Sequence, residues 1–143
     1  MRKIIPALLA LMLLAGCGTT STTPSTNETT SNETASNETA DYRQISMEDA
    51  VTMMAEEENY IILDVRTEAE YAERHIPNAI NIPNESIGSE EIPDLPDKDQ
   101  LILVYCRSGN RSKQAAEKLA ALGYTNIVEF GGINDWPGET VSE

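Results

Sequence analysis

The sequence predicts an α/β domain in residues 41–143, with a mostly parallel central sheet that is flanked by helices on both faces. Two segments, residues 60–65 (YIILDV) and 101–105 (LILVY), are continuously apolar and rich in branched side chains. Such runs are typical of strands that are covered on both faces. Strand candidates alternate with helical patterns, which favours parallel pairing. The shorter strand candidates are residues 42–45, 79–82 and 126–130.

Three helices are predicted between these strands. Ser46 is followed by Asp49, and Thr67 by Glu70, which is the spacing of a capping box at a helix N-terminus. The segment 112–123 ends in a glycine, the residue that most often terminates a helix. It places these residues on one side: Ala115, Ala116, Leu119, Ala120 and Leu122.

The first residues predict an export signal. Arg2 and Lys3 precede an apolar run that is too short for a comfortable transmembrane helix. The tetrad at residues 14–17, Leu-Ala-Gly-Cys, resembles the lipobox of bacterial lipoproteins, in which the cysteine is lipidated and becomes the mature N-terminus. We therefore expect residues 1–16 to be a signal peptide and Cys17 to carry lipid. The alternative is an ordinary signal without lipid.

Residues 17–40 are predicted to be a disordered linker that begins with the lipidated Cys17. After Cys17 and Gly18 the segment consists of Ser, Thr, Asn, Glu and Ala with one proline, and it repeats the pattern NET. Without large apolar side chains it cannot form a core. The expected location of the domain is therefore extracytoplasmic, with a lipid anchor in a bacterial membrane.

Charge and cysteine content limit the possible functions. The chain has 24 Asp and Glu against 10 Lys and Arg, a formal net charge of −14, which argues against nucleic acid as a partner. Only Cys17 and Cys106 are present. If lipid occupies Cys17, then Cys106 has no disulfide partner in its own chain, and it is either buried and inert or kept for chemistry.

The residues around Cys106 favour a reactive cysteine over an inert buried one. A loop of about six residues is expected between a strand that ends at Tyr105 and a helix that begins near Arg111 or Ser112. It lies at the carboxyl edge of the sheet, where ligands of open α/β sheets bind. Gly109 and Asn110 readily form a nest of inward N–H groups, and the helix N-terminus adds its own.

Together these N–H groups form a cup that is expected to stabilise an anion. Cys106 lies at the rim of this cup, where its pKa should be lowered, and this makes the thiolate a candidate nucleophile. Arg107 and Arg111 add positive charge that can hold the oxygens of an anionic substrate. The alternative is that Cys106 is a small buried hydrophobe. A core cysteine, however, has no need of two arginines and a glycine beside it.

Three ordered motifs resemble those of the rhodanese-like sulfurtransferases, over residues 41–138. They are residues 61–83 (IILDVRTEAEYAERHIPNAINIP), 101–124 (LILVYCRSGNRSKQAAEKLAALGY) and 128–138 (VEFGGINDWPG). The chain departs from the family pattern at Arg74, where many members carry glycine, and in the short segment after Trp136.

The resemblance implies an enzyme that takes a sulfane sulfur from a small anionic donor such as thiosulfate onto Cys106 as a persulfide. The acceptor would be thiophilic: cyanide or a thiol, including a protein thiol. No metal or organic cofactor is implied, and His75 and Trp136 are expected to be structural. The substrate-binding residues would be Arg107, Ser108, Gly109, Asn110 and Arg111, and the supporting residues Asp64, Arg66 and Ser112.

Two other functions remain open at this point. Cysteine-dependent phosphatases separate their cysteine and arginine by five residues, whereas four lie between Cys106 and Arg111, so the loop is one residue short. A non-enzymatic persulfide relay or binding module would use the same loop with a partner protein. The intact cysteine argues only against a module without chemistry.

Overall fold

Five parallel strands form the centre of residues 41–143, the part of the chain that this computed structural model describes. Their order is β1-β5-β4-β2-β3, so that β4 lies in the middle of the sheet. The predicted α/β class with a parallel sheet is confirmed. The predicted signal peptide, Cys17 and the linker lie outside the described residues. The strands are β1 Arg43–Gln44, β2 Tyr60–Asp64, β3 Ile80–Asn81, β4 Leu101–Cys106 and β5 Ile127–Gly132.

The first two helices begin where the capping residues predict. The Thr67 side chain accepts the Glu70 N–H at 3.3 Å, and the Glu70 carboxylate accepts the Thr67 N–H at 3.1 Å, which completes a capping box. At Ser46 only half of the box forms. The Asp49 N–H bonds to the Ser46 hydroxyl, but the Asp49 carboxylate, one methylene shorter than that of Glu, accepts the hydroxyl instead of the Ser46 N–H. The helices are α1 Met47–Glu56, α2 Glu68–Glu73 and α3 Asn110–Ala121.

The two faces of the sheet are covered by different layers. Side chains alternate along β4, and its even-numbered residues, which end in Cys106, pack in the core beneath α3. The odd-numbered residues, which end in Tyr105, pack in the opposite core with residues of α1 and α2. Helices therefore cover both faces, as predicted. No helix within residues 41–143 is long and apolar enough to cross a membrane.

The connection after β4 is tighter than predicted. Cys106 is the last residue of β4, and α3 begins at Asn110, so only residues 107–109 lie between them. The expected strand end at Tyr105 and the expected helix start near Arg111 or Ser112 were wrong by one or two residues. The reason is Gly109, which precedes α3 with a φ of +102° and turns the chain directly into the helix.

Candidate active site

Cys106 lies beneath the loop at the carboxyl end of the central strand. Its side chain is 1% exposed, and the Gly109 N–H donates to Sγ at 3.1 Å. The expectation that Cys106 sits at an exposed rim was wrong. As the last strand residue on the α3 side, it points under the first turn of that helix, and the short connection closes over it.

The N–H groups of this loop favour the thiolate. Burial in itself raises the pKa of Cys106, because it disfavours the charged form. Hydrogen bonds from the Ser112 hydroxyl and from the N–H groups of Ser112, Ser108 and Gly109 outweigh burial, and the net effect lowers the pKa below its ordinary value. The direction agrees with the sequence-based expectation.

A buried glutamate, which sequence analysis missed, positions Ser112. Glu129 is 3% exposed, and its Oε1 accepts the Ser112 hydroxyl at 2.6 Å and the Gly131 N–H at 2.9 Å. A hydroxyl has one proton, and the charge-assisted contact with Glu129 is the strongest competitor for it. Glu129 therefore competes with Cys106 for the proton of Ser112, whereas the Gly109 N–H donates to Sγ at 3.1 Å. The signal in the sequence was a charged residue inside an apolar strand.

The two arginines of the loop lie in different surroundings. The guanidinium of Arg111 donates to both carboxylate oxygens of Glu70, at 2.6 and 2.9 Å. This ion pair lowers the pKa of Glu70 to about 2. Arg107 is exposed and forms no ion pair within residues 41–143. Of the two, Arg107 therefore has the charge that is available to a ligand.

Asp64 and Arg66 form a buried ion pair at the end of β2. Arg66 Nη2 lies 2.5 Å from Asp64 Oδ2, and the two side chains are 4% and 0% exposed. The Tyr105 hydroxyl donates to the same carboxylate at 2.6 Å. Tyr105 faces away from α3. The cluster of Asp64, Arg66 and Tyr105 therefore stabilises the strand ends on the face of the sheet opposite to α3, and it is connected to the loop through the backbone of β4.

The end of β5 supports the loop from the side. A Cβ atom on Gly132 would lie 2.1 Å from the carbonyl oxygen of Arg107, so only glycine permits this close approach. The Asn134 N–H donates to the same oxygen at 3.3 Å. Between the pairs Val104–Glu129 and Cys106–Gly132, β5 advances by one residue more than β4, which is a bulge next to the loop.

The remaining candidate residues have structural surroundings. His75 is buried, stacks on Tyr71 at 3.8 Å and has its Nδ1 2.8 Å from the Tyr71 carbonyl oxygen. Trp136 packs against Phe130. Both agree with the expected structural roles. Among residues 41–143, no three His, Cys, Asp or Glu side chains cluster so that they could hold a metal ion.

Comparisons with known proteins identify similar sequences and folds. The model of the "Rhodanese-like domain" family matches residues 46–139. The chain is 38% identical over 73 residues to thiosulfate sulfurtransferase PspE of Escherichia coli K12, covering 51% of this chain and 70% of that protein. It is 38% identical over 96 residues to a sulfurtransferase of Allochromatium vinosum, covering 65% and 86%. The solved "rhodanese with anions from E. coli" aligns with a TM-score of 0.54 at 34% identity, over 59% of this chain and 99% of that one.

Proposed function

Because this chain belongs to the rhodanese-like domain family, we propose that it transfers a sulfane sulfur through a persulfide on Cys106. The relatives that are named sulfurtransferases support sulfurtransferase activity in general. The observation that carries the specific proposal is the cup of main-chain N–H groups around a single thiol. Such a cup stabilises the Cys106 thiolate, and it also stabilises the persulfide anion that forms when the thiolate takes up a sulfur atom.

In the first half-reaction the Cys106 thiolate attacks the outer sulfur of thiosulfate. A Cys106–sulfur bond forms as the S–S bond of thiosulfate breaks, and its electron pair leaves with sulfite. The loop N–H groups hold the negative charge of the resulting persulfide. Arg107 attracts the oxygens of the donor.

In the second half-reaction cyanide or a thiolate attacks the outer persulfide sulfur. The Cys106–sulfur bond breaks, and its electron pair returns to Sγ as the thiolate. Because Cys106 is 1% exposed, thiosulfate must reach a buried Sγ in the first half-reaction. The outer sulfur of the persulfide lies about 2 Å from Sγ, and it is this atom that the acceptor attacks.

Intact-mass analysis after treatment with thiosulfate tests this proposal. We expect the wild-type chain to gain one sulfur, roughly 32 Da, and Cys106→Ser to gain none. Cys17→Ser is the matched control and should gain the same mass as wild type. A wild-type chain that stays unmodified, or a Cys106→Ser chain that is modified equally, would contradict the proposal.

A cysteine-dependent phosphatase is the less favoured enzyme. The loop is one residue short for that signature, and Arg111, its arginine, is engaged by both oxygens of Glu70. Hydrolysis of a phosphoester by a chain that forms no persulfide would reverse this ranking.

A relay to a protein thiol would use the same persulfide, and mass spectrometry of candidate partners would detect the transferred sulfur.

We further propose that the domain is extracytoplasmic and held at a bacterial membrane by lipid on Cys17. The support is the basic start, the apolar run and the lipobox-like tetrad of residues 1–17. Metabolic labelling with a tagged fatty acid tests it. The label should enter the wild-type chain and be absent from Cys17→Ser, and equal labelling of both chains would refute the anchor.

A further inference from the structure

Glu129 is a buried carboxylate on the same side of the sheet as Cys106. It belongs to β5 and pairs in register with Val104 of β4, a residue of the core beneath α3. Its side chain is 3% exposed and forms no ion pair among residues 41–143. A buried carboxylate without a cation is costly for folding, and the two half-reactions described above assign no role to it.

Ser112 links Glu129 to Cys106. Its side chain is fully buried, and its hydroxyl donates to Glu129 Oε1 at 2.6 Å. The same hydroxyl is also placed to donate to the sulfur of Cys106. Because a hydroxyl has only one proton, the carboxylate weakens the hydrogen bond that the thiolate receives.

Charged groups act on the sulfur from two elements besides the loop. Arg111 comes from the first turn of α3 and interacts with the charge of Cys106, but its guanidinium is paired with Glu70. Glu129 comes from β5 and has no such partner within the described residues. The charge of Glu129 is therefore the one that no ion pair offsets.

We propose that Glu129 is a positioning residue that, through Ser112, adjusts how readily Cys106 takes up and releases sulfur. By holding the Ser112 hydroxyl, it weakens one hydrogen bond to the sulfur and leaves more negative charge on Sγ. A more basic thiolate is the stronger nucleophile but the poorer leaving group. Glu129 therefore prolongs the lifetime of the persulfide. This inference rests on the proposed sulfur transfer.

The two half-reactions use Sγ in opposite ways. In loading, Sγ forms a bond to the outer sulfur of thiosulfate, and the electron pair of the broken S–S bond leaves with sulfite. In discharge, the acceptor forms a bond to that outer sulfur, and the electron pair of the broken Cys106–sulfur bond returns to Sγ. A hydrogen bond to Sγ favours discharge and opposes attack, so the division of the Ser112 proton changes the balance between the two.

Two substitutions of Glu129 separate its contact with Ser112 from its charge. Glu129→Gln keeps the shape of the side chain, but its neutral oxygen competes less strongly for the Ser112 proton. Glu129→Asp keeps the charge, and an Asp side chain can still accept the N–H of Gly131, two residues on. Its carboxylate is one methylene shorter and is withdrawn from Ser112. We expect the pKa of Cys106 to fall in both variants.

The pKa is measured from the ultraviolet absorbance of the thiolate in a Cys17→Ser background, where Cys106 is the only thiol. Two rates accompany it. Both Glu129 variants, once loaded, should transfer sulfur to 2-mercaptoethanol about threefold faster than the parent chain, and at high pH iodoacetamide should alkylate them about threefold more slowly. Glu117→Gln is the control, since it removes a charge from the exposed side of α3 and should change neither rate.

A thiol pKa and rates like those of the parent chain in both Glu129 variants would overturn the proposal. A change in Glu129→Gln alone would also overturn it, because Glu129 would then act by its charge and not through Ser112. Circular dichroism checks the fold, and if Glu129→Gln does not fold, Glu129→Asp decides by itself. Failure of thiosulfate to load Cys106 would instead refute the proposed function, whereas the pKa and the alkylation rate are measured without loading.

Discussion

The ionisation of Cys106 is decided by two opposing effects at one residue. Burial disfavours the thiolate, and hydrogen bonds from the loop favour it and prevail. Three of those donors are backbone N–H groups, which substitution of a side chain does not remove. The conformation of the loop backbone, more than the identity of its side chains, therefore controls the reactivity of the sulfur.

Gly109→Ala tests this control. Gly109 has a φ of +102°, and a Cβ atom there would meet nothing closer than 3.7 Å, so the substitution introduces backbone strain without a clash. We expect it to cost about 1 to 2 kcal/mol of stability and to turn the Gly109 N–H away from Sγ as the strain relaxes. The pKa of Cys106, measured from the ultraviolet absorbance of the thiolate, should rise.

Gly123→Ala is the matched control for that prediction. Gly123 follows α3 with a φ of +91°, and its Cβ would meet nothing within 4 Å. Denaturant unfolding should show a similar loss of stability in both variants, with a changed pKa of Cys106 only in Gly109→Ala. If the two variants had the same thiol pKa as wild type, the main-chain cup would not be the source of the thiolate.

At the scale of elements, the ion pair between Glu70 and Arg111 joins α2 to the first turn of α3. Its two side chains are 26% and 27% exposed, so we expect a contribution below about 1 kcal/mol. The connection nevertheless matters for the site, because Arg111 belongs to the helix that caps Cys106. The same carboxylate completes the capping box of α2, so one side chain orders two helix N-termini.

This ion pair predicts a pH-dependent part of the stability. The pKa of Glu70 falls from 4.5 to about 2 on folding, so the folded state favours the ionised carboxylate. The contribution of the pair is complete above about pH 4.5 and is lost as the pH falls towards 2. We expect wild type to be more stable than Glu70→Gln in urea unfolding at pH 7, and this difference to shrink below pH 4.5.

Glu73→Gln provides the control on the same helix, since Glu73 makes no ion pair among the described residues. Glu70→Gln retains a side chain that can complete the capping box, which separates the loss of charge from the loss of the cap. A difference between wild type and Glu70→Gln that did not change with pH would show that the ion pair does not stabilise the fold.

Local sequence signals predicted the elements because the physics behind them is local. The capping side chains of Ser46 and Thr67 act within one helical turn, and the apolar runs of β2 and β4 reflect burial on both faces. The start of α3 was placed too late because Gly109 was read as part of a nest and not also as the residue before the helix. Its positive φ serves both purposes.

The parts of the site that were missed depend on contacts between distant residues. Glu70 and Arg111 are 41 positions apart, and Ser112 and Glu129 are 17 apart. Each pair meets only because strand ends and helix N-termini converge at one edge of the sheet. A sequence shows that Glu129 is a charge in an apolar strand, but it does not show which hydroxyl will satisfy that charge.

The charge of the whole molecule opposes the reaction that the site is proposed to perform. The chain carries a formal net charge of −14, whereas thiosulfate is a dianion. Interactions beyond the Debye length are screened, so the ionic strength decides whether the donor senses the whole molecule or only the nearby arginines. At low salt the repulsion of the entire surface contributes, and at physiological salt the local field around Arg107 dominates.

We therefore expect the second-order rate constant for persulfide formation from thiosulfate to rise between about 0.01 M and about 0.15 M salt, as the Debye length falls from about 30 Å to about 8 Å. Rapid-quench mass spectrometry at a fixed pH measures this rate. Alkylation of Cys106 by iodoacetamide, which is uncharged, is the control and should change little, because no charged reagent approaches the protein.

A rate that fell steadily with salt would contradict this view and would mean that the arginines near the loop outweigh the remaining surface at every ionic strength. A parallel change in the alkylation rate would instead indicate that salt alters the thiol itself. The comparison of the two reagents thus separates long-range repulsion of the donor from the local electrostatics that ionise Cys106, although both originate from the same distribution of charges.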